Sequence, residues 1–231
     1  MNPQMKNFMK TLHVLFSLVL LAGVSQAGSL RFLAWDHEVA AKKLQVRNGG
    51  SVHEIVDLHP DKRSEWVSGI NAETGTFLVA PQVLDAKGEP AIQPLVIPRS
   101  VVDPLVILLP DRRQPTGLTV FVVEDSAAGF QFGATRFLNA TTKPLTVRYG
   151  KSLLRLEKSW APTDVNSGGK ARNLGIQIET GGTPSMISYS AVWEYDPDAR
   201  KIAIIAPGTD SDAGVLAVKV ISENRRALTG L

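Results

Sequence analysis

Leu44-Gln45-Val46-Arg47-Asn48-Gly49, followed by Ser51, returns 101 residues later as Leu145-Thr146-Val147-Arg148-Tyr149-Gly150, followed by Ser152. In the second copy Leu145, Val147 and Tyr149 alternate with Thr146 and Arg148. That is the period-two pattern of a strand with one apolar face, and a glycine then breaks it. The stretch predicts the same strand and turn built twice, with Ser51 and Ser152 in matching turn roles.

Three further pairs run in the same order. Arg31-Phe32-Leu33 recurs as Arg136-Phe137-Leu138, and its offset of 105 implies four extra residues within 34–43 of the first copy. Trp66 ahead of Phe77-Leu78-Val79-Ala80-Pro81 is matched with Trp193 ahead of Ile204-Ile205-Ala206-Pro207, which reads both tryptophans as packing residues. Residues 118–123 are matched with 216–221. A period of about 100 residues is too long for a solenoid and is the size of one small β-domain. Turn residues such as Asp196-Pro197-Asp198 and Asn71-Ala72-Glu73-Thr74-Gly75 separate the strand patterns, giving about seven strands per copy. No segment carries a sustained helical stripe, although a short turn of helix is expected near residues 38–43.

The predicted fold class is therefore all-β: two tandem immunoglobulin-like β-sandwich domains after a signal peptide. The expected boundaries are 1–27 for the signal peptide, 28–125 for domain 1, 126–134 for a linker of small residues and 135–231 for domain 2. Each strand is expected to bury one face and wet the other. Residues 81–115 hold seven prolines. This segment reads as an irregular excursion with a short strand at 105–109 and no counterpart in the second copy, serving as an edge cover or a ligand loop.

Lys6 and Lys10, the apolar run 11–24 and the small residues Ser25 and Ala27 form an export signal with cleavage expected before Gly28. No later stretch is apolar enough for a membrane span. Residues 1–27 contain two lysines and no acid, so the full chain's net charge of +3 becomes +1 in the mature chain, with 23 basic and 22 acidic residues. The basic pairs Lys42-Lys43, Arg112-Arg113 and Arg225-Arg226 are isolated, which excludes the cationic face that nucleic-acid binding needs. The absence of cysteine excludes disulfides, thiol catalysis and Cys-ligated metal, and suits an oxidising compartment.

The mature chain has three histidines, His37, His53 and His59, all in the first copy and interspersed with acids. A metal site would need them to converge, since zinc and copper take three or four ligands. There is no Gly-x-Ser-x-Gly elbow, no phosphate-binding glycine loop and no clear pair of catalytic carboxylates. Asp164-Val165-Asn166-Ser167-Gly168 has faint calcium-site character but lacks the Glu that would close an EF-hand loop, and the loop 209–214 offers two carboxylates where calcium takes six to eight oxygens, so both read as plain turns. Trp35 and Trp160 have no repeat partner and would suit a sugar-stacking surface if exposed. Asn139-Ala140-Thr141 would be a glycan acceptor only in a eukaryotic secretory route.

Export, length and two sandwiches together resemble the periplasmic pilus chaperones in architecture, though no residues here match that family's cleft Arg and Lys. The resemblance implies action by strand addition, with 118–123 as the strand to donate. The sequence thus points to a non-enzymatic binding or structural protein, periplasmic or secreted, with a protein or cell-surface glycan partner. The alternatives are an assembly chaperone and a metal-dependent enzyme using the three histidines. No catalytic, cofactor-binding or metal-binding residue is assigned.

Overall fold

The computed structural model describes residues 28–71, 73–181, 186–208 and 215–226. The expected export signal and the loop 209–214 lie outside them. The first copy comprises β1 (Gly28–Ala34), the single-turn helix α1 (His37–Ala40), β2 (Gln45–Asn48), β3 (Ser51–Glu54), β4 (Val67–Ile70), β5 (Thr76–Leu84), β6 (Pro90–Pro94), β7 (Pro104–Pro110) and β8 (Leu118–Glu124). The second comprises β9 (Ala134–Asn139), β10 (Leu145–Tyr149), β11 (Ser152–Leu156), β12 (Thr163–Asn166), β13 (Arg172–Thr180), β14 (Met186–Tyr195), β15 (Ala199–Pro207) and β16 (Leu216–Asn224).

The sheets are ordered β4-β1-β7-β8 and β3-β2-β5-β6 in one copy, and β12-β9-β15-β16 and β11-β10-β13-β14 in the other. Adding eight to every label converts the first pair into the second. In both copies the first strand pairs in parallel with the seventh, β1 with β7 and β9 with β15. The stretch quoted at the outset forms equivalent hairpins, Asn48 opposite Ser51 and Tyr149 opposite Ser152. Each turns on a glycine in the left-handed region, Gly49 at φ 57° and Gly150 at φ 58°. A two-residue hairpin loop favours that conformation because it matches the strand twist, and glycine adopts it without steric cost.

The registers also correct two expectations. Pro110 faces Leu118 and Pro207 faces Leu216, while Ile107 faces Leu33 and Ile204 faces Leu138. The true counterpart of Ile204-Ile205-Ala206-Pro207 is therefore Ile107-Leu108-Leu109-Pro110, not residues 78–81. Trp66 precedes β4 and is 47% exposed, whereas Trp193 lies within β14. The match failed because any apolar strand that ends at proline looks like any other. The proline-rich segment is likewise no insertion: it holds β6 and β7, the counterparts of β14 and β15. Five of its seven prolines lie at the two ends of β6, at the two ends of β7 and at the irregularity in β5, the places where a residue without an N–H is tolerated in a sheet, and Pro98 and Pro115 lie in the connections.

Three apolar cores stack through the molecule. The first joins the two sheets of copy one, with Phe32, Val46, Leu78, Val106 and Leu118 buried together. The third does the same in copy two, with Phe137, Val147, Tyr149, Ile178 and Ile205. The second lies between the copies and is lined by Leu33, Leu105, Ile107 and Val123 on one side and Leu138, Ile202, Ile204 and Ile221 on the other. Alternation explains the division: in β7, Val106 and Leu108 turn inward to their own sandwich while Leu105 and Ile107 turn to the other copy. The expectation that every strand wets one face thus fails for the two middle sheets. Their central strands read as continuous apolar runs because both faces are covered.

Candidate functional site

The arginine of each Arg-Phe-Leu repeat shares the outward face with its leucine, so both arginines are carried into the contact between the copies. There Asp125, whose side chain is fully buried, gathers guanidinium groups. Arg63 reaches it in bidentate fashion, Nε to Oδ2 at 2.6 Å and Nη2 to Oδ1 at 2.7 Å. Arg31 donates from Nη2 to Oδ2 at 2.8 Å. Arg200 of β15 completes the group from the second copy, donating to the backbone oxygens of Asp125 at 2.8 Å and Phe130 at 3.1 Å. Its Nε also donates to Glu223 of β16 at 2.6 Å, and Glu223 lies 3.6 Å from both Arg31 and Arg63.

Three cations therefore face two carboxylates, with Asp125 fully buried and Arg31 and Glu223 at the rim of the cluster. Burial pulls the Arg31 guanidinium below its ordinary value, which the Asp125 and Glu223 charges only partly offset. Its Nε has no hydrogen-bond partner. Burial opposes the charge on Arg63 too, but its hydrogen bonds to Asp125, aided by the charges of Asp125 and Glu223, outweigh it and hold Arg63 above the ordinary arginine value. Arg136, the repeat counterpart of Arg31, performs a parallel task. It pairs with Asp164 at 2.6 Å, donates to the Gly129 oxygen at 2.7 Å and to the Glu124 oxygen, and lies over the Phe130 ring. Chemically the cluster is a clamp: arginines do not release protons in proteins, and Asp125 is saturated with donors.

The sequence candidates fall elsewhere. His37 and His59 meet edge-to-face with ring centroids 6.2 Å apart, and His59 Nδ1 accepts from the Asp61 amide at 3.0 Å. His53 stands on β3 opposite Val46, against Gly69. Among the described residues no group of three His, Asp or Glu side chains is placed to hold a metal ion. The three histidines do not form one site.

Trp35 and Trp160, weighed as sugar platforms, both pack against the core between the copies. Trp160 stacks on Phe121 with centroids 3.5 Å apart. Lys219 of the second copy donates to the Trp35 oxygen at 2.5 Å, and burial lowers this lysine's pKa despite Asp61 and Asp36 nearby. The tryptophan that does present itself to solvent is Trp66, with the Arg31 guanidinium 4.3 Å from its ring. Asp164 is occupied by Arg136, which removes it from any calcium loop. Asn139 is buried, and its amide donates to Lys143 and Leu156 oxygens. Residues 118–123 form β8, paired along their length with β7 and packed on both faces, so they belong to their own sheet.

Sequence reasoning missed the clamp because its members are single charges at distant positions. The one available signal was the repetition of arginine in Arg31-Phe32-Leu33 and Arg136-Phe137-Leu138. No protein-family model and no curated protein sequence matches the chain. Among solved structures, one of a candidate cell adhesion protein from Bacteroides uniformis is similar over 87% of this chain and 99% of that one, at 8% identity and a TM-score of 0.25.

Proposed function

We propose that this is an exported, non-enzymatic binding or structural protein of the periplasm or cell surface, built to hold two sandwiches in one fixed orientation. The observation that supports this reading is the buried clamp around Asp125 together with the apolar core beside it. Both spend their polar and apolar groups on rigidity, and the outward sheets and edges remain to meet a protein or glycan partner. The test is to express the full chain in bacteria, fractionate the cells and weigh the product. Recovery outside the cytoplasm of a chain beginning at Gly28 is expected; a cytoplasmic chain retaining residues 1–27 overturns the reading.

The second reading, an assembly chaperone acting by strand addition, is favoured by one observation: the long edge strand β14 has an unpaired side. Cross-linking in the exported fraction separates the two. A stable partner bound at stoichiometry supports the binding role, whereas a subunit held only until its own assembly supports the chaperone.

A further inference from the structure

The outer sheets of the two copies share their topology but not their outward faces. In copy one Val46 and Leu78 turn into the core, so Gln45 and Arg47 of β2 and Phe77 and Val79 of β5 turn outward. The register sets Arg47 beside Phe77 and Phe77 beside Pro94. The matching row in copy two is Arg148, Gln177 and Ser190. The second copy therefore has an amide where the first has an aromatic ring.

That ring lies along its strand. A Cβ on Gly75 would meet the Phe77 Cε2 at 3.0 Å and Cζ at 3.4 Å, so the ring occupies space that only a glycine leaves free. The counterpart Gly175 has nothing within 4 Å of the same point. Phe77 lies in a cleft of about 370 Å³ with Thr74, Pro94 and Val96, and the Arg47 guanidinium is 5.8 Å from its centroid. Toward the other end of β5 a second cleft, of about 470 Å³, is lined by Lys43, Gln45, Glu54 and Pro81. Gln45 and Glu54 are cross-strand neighbours there. The run from Phe77 to Pro81 spans about 13 Å.

We propose that the outward face of β2 and β5 binds an uncharged oligosaccharide, with one sugar ring stacked on Phe77 and the chain running on toward Gln45 and Glu54. Three observations select this ligand. The flat ring suits the apolar C–H face of a sugar, and it is backed by a glycine that keeps it flat. The groups around it, a guanidinium, an amide and a carboxylate, supply the donors and acceptors that hydroxyls need, and their charges are of both signs, which favours a neutral ligand over a polyanion. Strands β2 and β5 are central in their sheet, so their amides and carbonyls are already paired and cannot take up a peptide main chain. This inference rests on the binding role proposed above and names its ligand class.

Affinity electrophoresis of the purified chain through gels containing dextran, laminarin or xyloglucan tests it. Retardation by at least one of these neutral polysaccharides is expected. Phe77→Ala and Gly75→Ala each weaken that retention about tenfold, the second by lifting the ring without removing it, and both variants still melt cooperatively. Gln177→Ala, at the matching position of copy two, leaves retention unchanged. A chain unretarded in all three gels, retention that survives Phe77→Ala, or retention only by polygalacturonate or only of a proline-rich peptide overturns the proposal. Export is read in a separate assay, so an exported chain that retains no polysaccharide removes this inference alone.

Discussion

Asp125 shows how much one side chain carries in this molecule. Removing one partner from a buried charge group leaves the others uncompensated, typically at a cost of about 3–5 kcal/mol. Asp125→Asn is expected to destabilise by that order in chemical denaturation, because three guanidiniums would then face one carboxylate. Arg155→Ala, which breaks the exposed pair with Glu157, is expected to change stability by less than about 1 kcal/mol. Glu124 gives the molecule an acid limb. Burial would raise its pKa, but the amides of Val102, Ser126 and Asp103 donate to it and hold it below its usual 4.5. A depressed carboxylate stabilises the fold above its unfolded pKa and loses that contribution as pH falls through the folded one. Stability should therefore decline on acidification below about pH 4.5, and Glu124→Gln should flatten that decline in a pH series of melts.

At the scale of the element, the paired hairpins offer a controlled comparison. Gly49 and Gly150 share a left-handed backbone, so an alanine at either costs about 1–2 kcal/mol from conformation alone. A Cβ on Gly49 would sit 3.7 Å from Thr74, an ordinary contact, whereas one on Gly150 would sit 3.2 Å from the Leu174 side chain. Gly150→Ala is expected to be the more destabilising of the two, read from denaturation midpoints. These hairpins were legible from residues 44–51 and 145–152 because their information is local: alternation, then glycine. The prolines of residues 81–115 were misread because proline reports a missing donor. It does not report whether the strand it flanks is central, as β7 is, or at an edge, as β6 is.

For the whole molecule, the contact between copies is made of matched positions: Leu33 with Leu138, Leu105 with Ile202, Ile107 with Ile204 and Val123 with Ile221 occupy equivalent places in the two sheets. Equivalent faces that meet in this way have the form of an isologous interface drawn into one chain. The two sandwiches should consequently unfold as one unit, giving a single calorimetric transition. Ile107→Ala and Ile204→Ala are each expected to cost about 2–5 kcal/mol, since each leaves a cavity in the middle core. Ile204→Asp, which buries an unpaired charge there, should split the transition in two as the halves lose their contact.

The amino-acid sequence alone determined that the chain is built of strands, that its pattern is doubled and that no local motif of catalysis is present. All of these are written in alternation, spacing and residue type along the chain. Only the tertiary structure decided which strands are covered on both faces, that Arg31, Arg63, Asp125, Arg200 and Glu223 converge, and that Trp35 and Trp160 are packed while Trp66 is not. The physical reason is that a strand records how many of its faces are apolar but not what will cover them. A lone charge records nothing of its partner, and both are settled only when distant segments stack.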